Sequence, residues 1–97
     1  MNEMDELAAA VVERATLRGV TVGTAESLTA GLIAATIAEI SGASNVLMGG
    51  VVSYDPRVKH ELLNVPQSVI DGVGVVSEPC ARQLAEGARS LLKVDIA

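Results

Sequence analysis

The spacing of apolar residues in the first quarter of the chain predicts a helix followed by a strand. From Asn2 to Arg18, apolar side chains recur every three or four residues, with acidic residues near the start and basic residues near the end. This is the pattern of an amphipathic helix, and Gly19 suits the position just after it. The next run, Val20 to Ala25, is short and rich in β-branched residues, which predicts a buried strand.

The middle of the chain repeats this order of helix and strand. Leu28 to Ile40 is apolar on nearly every side, which predicts a helix that other elements cover on most of its faces. Val46 to Tyr54 predicts a second strand. The pair Gly49-Gly50 inside this strand indicates a bulge or a close approach of another part of the chain.

The remaining segments complete a layered α/β pattern. They comprise a short helix capped by Asp55 and begun by Pro56 that ends at Leu63, a single turn at Pro66–Val69, a loop or short strand at Val73–Val76, a helix opened by Ser77-Glu78-Pro79, and the start of a strand at Val94–Ala97. Strands that alternate with helices predict an α/β/α domain with a mostly parallel sheet. The 97 residues form a single domain or part of one.

Composition excludes several classes of protein. A net charge of −5 argues against binding to nucleic acid or to an anionic membrane surface. A single cysteine, Cys80, excludes an internal disulfide framework and is typical of a reducing compartment. The acidic N-terminal segment does not resemble a secretion signal, and no apolar run approaches the ~20 residues of a membrane span. We therefore expect a cytoplasmic protein.

Ser27 is the first candidate for chemistry, because it lies where the first strand meets the predicted helix 28–40. A serine at this position can cap the helix, or it can act as a nucleophile beside backbone N–H groups that bind an oxyanion. A nucleophilic serine needs a base. His60 is the only histidine, it lies in a charged segment, and no Ser-His-Asp triad is evident. The remaining candidate base is a lysine, which must be desolvated to accept a proton.

Lys59 and Tyr54 are expected close to Ser27. The carboxyl ends of parallel strands meet at one edge of a sheet, where ligands bind, and Tyr54 ends the second strand, one helical turn before Lys59. The alternatives are an exposed helical lysine and a tyrosine that only fills the core. Glu26 can face the site or anchor the loop. Thr29 and Gly31 are expected in the first helical turn, where the glycine indicates a close approach of ligand or backbone.

Three ordered stretches resemble the CinA C-terminal domain family, the nicotinamide-nucleotide amidases. These are TAESLTAGLIAATI, GGVVSYDPRVKHELLNVP and GVVSEPCARQLAEGA. The family carries Ala-Glu-Ser-Cys-Thr-Gly-Gly-Leu in the first stretch, so this chain departs from it at Leu28 and Ala30. The family pattern also continues beyond Ala97 with a further strand and a loop of the site, so the resemblance implies an α/β/α domain that is incomplete here.

The resemblance implies the hydrolysis of nicotinamide mononucleotide, or a related small nucleotide, to its nicotinate form and ammonia, with no metal or cofactor. Ser27 corresponds to the nucleophile, and Tyr54 and Lys59 assist it. Substrate contacts are expected at Glu26, Leu28, Thr29, Ala30, Gly31 and Ser53. The alternative is a nucleotide-binding or competence-related regulatory module, inert as a fragment. Exposed sheet edges invite pairing, so we also expect the 97-residue chain to be either a homo-oligomer or marginally stable, and weak or inactive as an amidase.

Overall fold

The computed structural model describes residues 2–97 and confirms the predicted α/β class. In chain order the elements are α1 (Glu3–Arg18), β1 (Val22–Glu26), α2 (Leu32–Ala38), a 3₁₀ turn (Ala43–Asn45), β2 (Leu47–Val52), α3 (Pro56–Leu63), α4 (Gln67–Asp71) and α5 (Glu78–Leu92). The side chains of Asn2, Asp55 and Ser77 cap α1, α3 and α5 by accepting backbone N–H bonds, and Pro56 begins α3 as predicted. No helix within residues 2–97 is long and apolar enough to cross a membrane.

The two strands pair in parallel, and their glycines explain the geometry of the pair. Val22 aligns with Leu47 but Gly23 aligns with Gly49, so Met48 is the extra residue of a bulge. A Cβ at Gly50 would collide with the Thr24 hydroxyl. The glycine pair therefore serves both purposes that the sequence indicated.

Helices cover both faces of this sheet. One apolar cluster joins α1 and α2 to the strands and contains Ala8, Val12, Ala15, Val22, Ile37, Ala43 and Val46. The other joins α3 and α5 and contains Leu63, Val65, Cys80, Leu84 and Ala88, with Ala25 and Val51 packed against it. Cys80 is completely buried in this second cluster. The result is the α/β/α layering that brings α3 and α5 over the carboxyl ends of the strands.

The predicted strand at residues 94–97 is present only as a single bridge beside β1. The Gly23 N–H donates to the Ile96 carbonyl at 2.9 Å, and the Ile96 N–H donates to the Thr21 carbonyl at 3.0 Å. Next to this bridge, a groove of about 430 Å³ runs along β1 between α1, α2 and α5, with walls that are mostly apolar. This side of β1 therefore remains open along most of its length within residues 2–97.

The predicted helix from Leu28 to Ile40 is wrong in both extent and environment. The helix begins only at Leu32, because Ala30 and Gly31 adopt left-handed backbone angles, with φ of 51° and 102°. Leu32 is 52% exposed, and only Ile37 of this helix is buried. The cover is incomplete because the helix borders the open groove along β1.

Replacing Ala30 by glycine should stabilise the protein. A left-handed alanine costs about 1–3 kcal/mol of conformational energy, whereas glycine adopts this angle without steric strain, so we expect Ala30→Gly to raise the free energy of unfolding by about 1 kcal/mol. Urea unfolding followed by circular dichroism measures this change. The matched control is Ala35→Gly, in the helical part of α2, which should instead lower it by about 1 kcal/mol. A loss of stability at both positions would contradict the prediction.

Candidate functional site

Ser27 lies one residue beyond β1, at the start of a tight turn that leads to α2. Its carbonyl accepts a hydrogen bond from the Ala30 N–H at 3.1 Å, which closes the turn. Because α2 begins five residues later, Ser27 does not cap it, and the prediction that it lies at the helix start is wrong. The serine is instead presented on a turn, half-buried, with its hydroxyl directed to the neighbouring helix α3.

Lys59 reaches Ser27 from α3. The lysine is only 1% exposed, and its Nζ lies 2.9 Å from Ser27 Oγ. The same Nζ donates to the carbonyls of Ser53 at 2.5 Å and Tyr54 at 2.9 Å. The interpretation of Lys59 as an exposed helical lysine is therefore wrong. Ser27 and Lys59 are 32 residues apart in the chain, and they meet because α3 follows β2, the strand that pairs with β1.

The three acceptors around Lys59 fit either protonation state of its amine. An ammonium has three N–H groups and would donate to all three oxygens. A neutral amine has two N–H groups and one lone pair, so the two carbonyls can take the N–H groups while the lone pair faces the Ser27 hydroxyl. No carboxylate within residues 2–97 forms an ion pair with Lys59. The geometry thus permits proton transfer between Ser27 and Lys59.

Tyr54 contributes to this arrangement mainly through its main chain. Its carbonyl is one of the acceptors of Lys59, while its side chain is 69% exposed and borders the cavity. This exposure excludes the alternative in which the ring fills the core. Within residues 2–97 its hydroxyl forms no hydrogen bond to Ser27 or Lys59, so a role for the hydroxyl as a proton relay stays a prediction.

The two side chains border a cavity of about 560 Å³. Of the expected substrate contacts, Glu26, Leu28 and Thr29 line it, whereas Ala30, Gly31 and Ser53 lie outside it. Ser53 is completely buried, and its hydroxyl donates to the Glu26 carbonyl at 3.2 Å. Ala30 and Gly31 form the end of the turn rather than a first helical turn.

Sequence reasoning missed the opposite wall of the cavity. This wall is formed by Val75, Val76, Ser77, Ala81 and Leu84, from the loop before α5 and from α5 itself. Val76 is 96% exposed, although it is apolar. The only signal for this wall in the sequence is the helix opening at Ser77, because the local pattern does not reveal which element packs opposite Ser27.

Glu26 anchors the turn, as one of its two predicted alternatives proposed. The residue is 2% exposed, and its carboxylate accepts hydrogen bonds from the backbone N–H groups of Ile33 at 2.7 Å and Ala34 at 3.0 Å. It also accepts from the hydroxyls of Thr29 at 2.8 Å and Thr24 at 3.2 Å. The carboxylate of Glu26 therefore caps α2, which is the role that the sequence had suggested for Ser27.

These contacts set the pKa of Glu26. Burial alone raises the pKa of the carboxyl group, but the hydrogen bonds from Ala34, Ile33, Thr29 and Thr24 outweigh burial and lower the pKa below its ordinary value. The side chain is therefore ionised at neutral pH. Its negative charge faces the N-terminal end of α2, where the helix dipole favours an anion.

The stability of the protein should depend on pH through Glu26. Because its folded pKa is lowered, its ionised form stabilises the protein above the ordinary glutamate pKa of about 4.5, and this contribution is lost as the pH falls through the lowered folded value. Glu26→Gln should reduce the free energy of unfolding by about 2 kcal/mol at pH 7, and the difference from the parent should shrink towards pH 3. Urea unfolding at several pH values tests this, and a difference that is constant with pH would contradict it.

The remaining ionisable groups lie apart from the cavity. His60 Nδ1 bonds to the Val65 carbonyl at 2.8 Å, and Arg82 pairs with Glu78 on the exposed face of α5 at 2.7 Å. Among residues 2–97, no three His, Cys, Asp or Glu side chains lie together in a way that could hold a metal ion. Ser27 and Lys59 are the hydroxyl and the buried amine that lie within hydrogen-bond distance at this cavity.

Comparison with known proteins places this geometry in context. Residues 4–97 match the family model of the CinA C-terminal domain. The chain is 42% identical to a Lactiplantibacillus plantarum protein named for competence-damage inducibility, over 95% of this chain and 22% of that protein. It is 46% identical to a Geobacillus kaustophilus protein of the same name, over 88% of this chain and 20% of that protein. The chain thus spans about a fifth of the length of these relatives.

Solved structures share the fold over almost the whole chain. A competence/damage inducible protein from Agrobacterium tumefaciens superposes with a TM-score of 0.90 at 35% identity, covering 99% of this chain and 57% of that one. The competence damage-inducible protein A from Klebsiella pneumoniae superposes with a TM-score of 0.92 at 30% identity, covering 97% of this chain and 58% of that one. The similarity therefore includes both strands, the turn after β1 and the helices around the cavity.

Proposed function

Because this chain belongs to the CinA C-terminal domain family, we propose that it hydrolyses the carboxamide of nicotinamide mononucleotide to nicotinate mononucleotide and ammonia. The observation that carries the proposal is the 2.9 Å contact between Lys59 Nζ and Ser27 Oγ at the border of a cavity. A hydroxyl bonded to a buried amine without an ionic partner is the arrangement that a serine–lysine nucleophile requires.

The reaction divides into two steps in which Lys59 carries the proton. In the first, Ser27 Oγ attacks the amide carbon and Lys59 Nζ takes the hydroxyl proton. The C–N bond then breaks as Lys59 gives that proton to the leaving nitrogen. Ammonia leaves, and the acyl group remains bound to Ser27 as an ester. In the second, water attacks the ester carbon and Lys59 Nζ takes a proton from it. The bond between the acyl carbon and Ser27 Oγ then breaks, Lys59 gives the proton to Ser27 Oγ, and the carboxylic acid product leaves and ionises.

The turn after Ser27 supplies candidate donors for the oxyanion. Within residues 2–97, the backbone N–H groups of Leu28 and Thr29 have no hydrogen-bond acceptor, and both residues line the cavity. Two free N–H groups beside a nucleophile suit the negative charge that develops on the carbonyl oxygen. Tyr54 would orient the substrate, since its exposed ring borders the same space.

Ammonia release from nicotinamide mononucleotide tests the proposal. A second candidate is a nucleotide-binding or regulatory module, which the names of the relatives favour because they describe competence and damage rather than a reaction. Ammonia release, coupled to glutamate dehydrogenase, supports the amidase. A rise in the melting temperature of the extended protein described below with nicotinamide mononucleotide, without ammonia release, supports the binding module and excludes the amidase.

Extending the chain should change both its size in solution and its activity. An extended protein can be made by joining Ala97 to the segment that follows the matching position in the Agrobacterium relative, of which this chain covers 57%. We propose that the 97-residue chain forms a homo-oligomer through the open side of β1 and is at most a weak amidase. The extended protein should be compact and, by completing the site, about a hundredfold more active. Size-exclusion chromatography and ammonia release on both lengths measure this, and a monomeric, equally active 97-residue chain would contradict it.

A further inference from the structure

Glu26 lies at the centre of the contacts that set the relative position of Ser27 and Lys59. Its carboxylate joins three elements, since it accepts from Thr24 in β1, from Thr29 in the turn and from the N–H groups of the second and third residues of α2. The turn from residue 27 to residue 31 is thus held at its middle by Thr29 and at its end by the start of α2. Within residues 2–97, no other side chain forms hydrogen bonds to the turn at both places.

The main chain of Glu26 is also linked by hydrogen bonds to Lys59, the proposed base. Its carbonyl accepts the Ser53 N–H at 2.7 Å and the Ser53 hydroxyl at 3.2 Å. The Ser53 carbonyl in turn accepts from Lys59 Nζ at 2.5 Å. The residue that immediately precedes Ser27 is therefore joined, through a single buried serine, to the amine that contacts Ser27.

The charge of Glu26 is satisfied by N–H and O–H donors and not by Lys59. All four hydrogen bonds to its carboxylate come from uncharged groups, and no ion pair joins it to Lys59. An ion pair with Lys59 would favour the charged amine, which cannot act as a base. Because α2 and the two threonines donate to both carboxylate oxygens, Glu26 can fix the turn without forming an ion pair with Lys59, the proposed base.

We infer that Glu26 is a positioning residue for Ser27: it holds the turn so that the hydroxyl meets Lys59 and the N–H groups of Leu28 and Thr29 stay free. This inference rests on the proposed role of Ser27 as nucleophile. It replaces the expectation that Glu26 contacts substrate, since its oxygens are directed to the turn and to α2. A purely structural cap would stabilise α2 without affecting the reactivity of Ser27.

Substitutions of Thr29 distinguish a positioning role of Glu26 from a role that is limited to capping α2. Thr29→Val removes the hydroxyl that ties the turn to Glu26 but leaves the bonds to Ile33 and Ala34, whereas Thr29→Ser keeps the hydroxyl. The matched control is Thr36→Val in α2, whose hydroxyl donates to the Leu32 carbonyl at 2.7 Å and lies outside this cavity. All variants are compared at a temperature where circular dichroism shows them folded.

The readout is the rate at which a fluorophosphonate probe labels Ser27 in the 97-residue chain, followed by intact mass spectrometry with Ser27→Ala as the blank. A misplaced nucleophile loses rate steeply, so Thr29→Val should label about tenfold more slowly, and Glu26→Gln at least as slowly. Thr36→Val should label at the parent's rate, and Thr29→Ser, which keeps the hydroxyl, should label faster than Thr29→Val. In the extended protein, Thr29→Val should lower kcat and leave KM unchanged.

The outcomes distinguish this inference from the proposed function. Labelling of Glu26→Gln and Thr29→Val at the parent's rate would overturn the inference alone. Labelling of the parent without ammonia release by the extended protein would overturn the amidase, while the variant rates still decide the role of Glu26. A parent that is not labelled at Ser27 would overturn the nucleophile and the positioning role together.

Discussion

Replacing Ser27 by alanine should reduce ammonia release by the extended protein by at least about a thousandfold. Alanine removes the atom that forms the covalent bond to the amide carbon. It leaves Lys59 in place, because Lys59 Nζ keeps its hydrogen bonds to the Ser53 and Tyr54 carbonyls. Binding of nicotinamide mononucleotide should persist. Steady-state ammonia release and isothermal titration calorimetry measure the two quantities on the same preparation.

The chain provides a control for this substitution. Ser90 lies on the exposed side of α5, so Ser90→Ala should keep full activity. Activity of Ser27→Ala close to that of Ser90→Ala would show that a water molecule or another residue attacks the amide. A simultaneous loss of binding would indicate that Ser27 holds the substrate and does not attack it.

Replacing Lys59 by arginine should be nearly as damaging, with a loss of about a thousandfold in kcat. Arginine keeps its proton at any pH at which the protein is folded, so it cannot take the proton of Ser27. Its planar fork also cannot reproduce the three contacts that one nitrogen makes with Ser27, Ser53 and Tyr54. We expect the fluorophosphonate labelling rate of Ser27 to fall in parallel with kcat.

The other lysine of the chain, Lys93, provides a control for the substitution of Lys59. Lys93, which ends α5, is exposed and outside the cavity, and Lys93→Arg should leave kcat and the labelling rate unchanged. Lys59→Met, which keeps the length of the stem, should lose activity to the same extent. It should also lower the free energy of unfolding by about 2 kcal/mol, because two buried carbonyls lose their donor. Turnover by folded Lys59→Met would exclude Lys59 as the base.

Much of the fold could be predicted from the sequence because its signals are local. The caps at Asn2, Asp55 and Ser77 bond to N–H groups only two or three residues away, so their spacing in the sequence is sufficient to identify them. The two strands and their parallel pairing follow from alternation with helices. This topology also favoured the juxtaposition of Ser27 with Lys59, because Ser27 follows β1 directly and Lys59 lies in α3, the helix after β2, but the sequence left an exposed Lys59 as an alternative.

The start of α2 could not be predicted in this way. The helical pattern of apolar residues extends back to Leu28, but the carboxylate of Glu26 binds the N–H groups of Ile33 and Ala34, seven and eight residues along the chain. A cap over that distance depends on how β1 and the turn are placed in space. For the same reason, the sequence indicated Ser27 as the cap and could not show that the Glu26 carboxylate takes this role.

The sequence by itself therefore determined the α/β class, the order of the elements and the edge of the sheet where polar side chains meet. Only the tertiary structure decided that Lys59 is buried against two carbonyls, that Glu26 holds the turn, and that the loop before α5 closes the cavity opposite Ser27. Periodicity and capping arise from hydrogen bonds and packing within a few residues. Burial, and the partners of a buried charge, depend on segments that are distant in the chain and meet only when the layers pack.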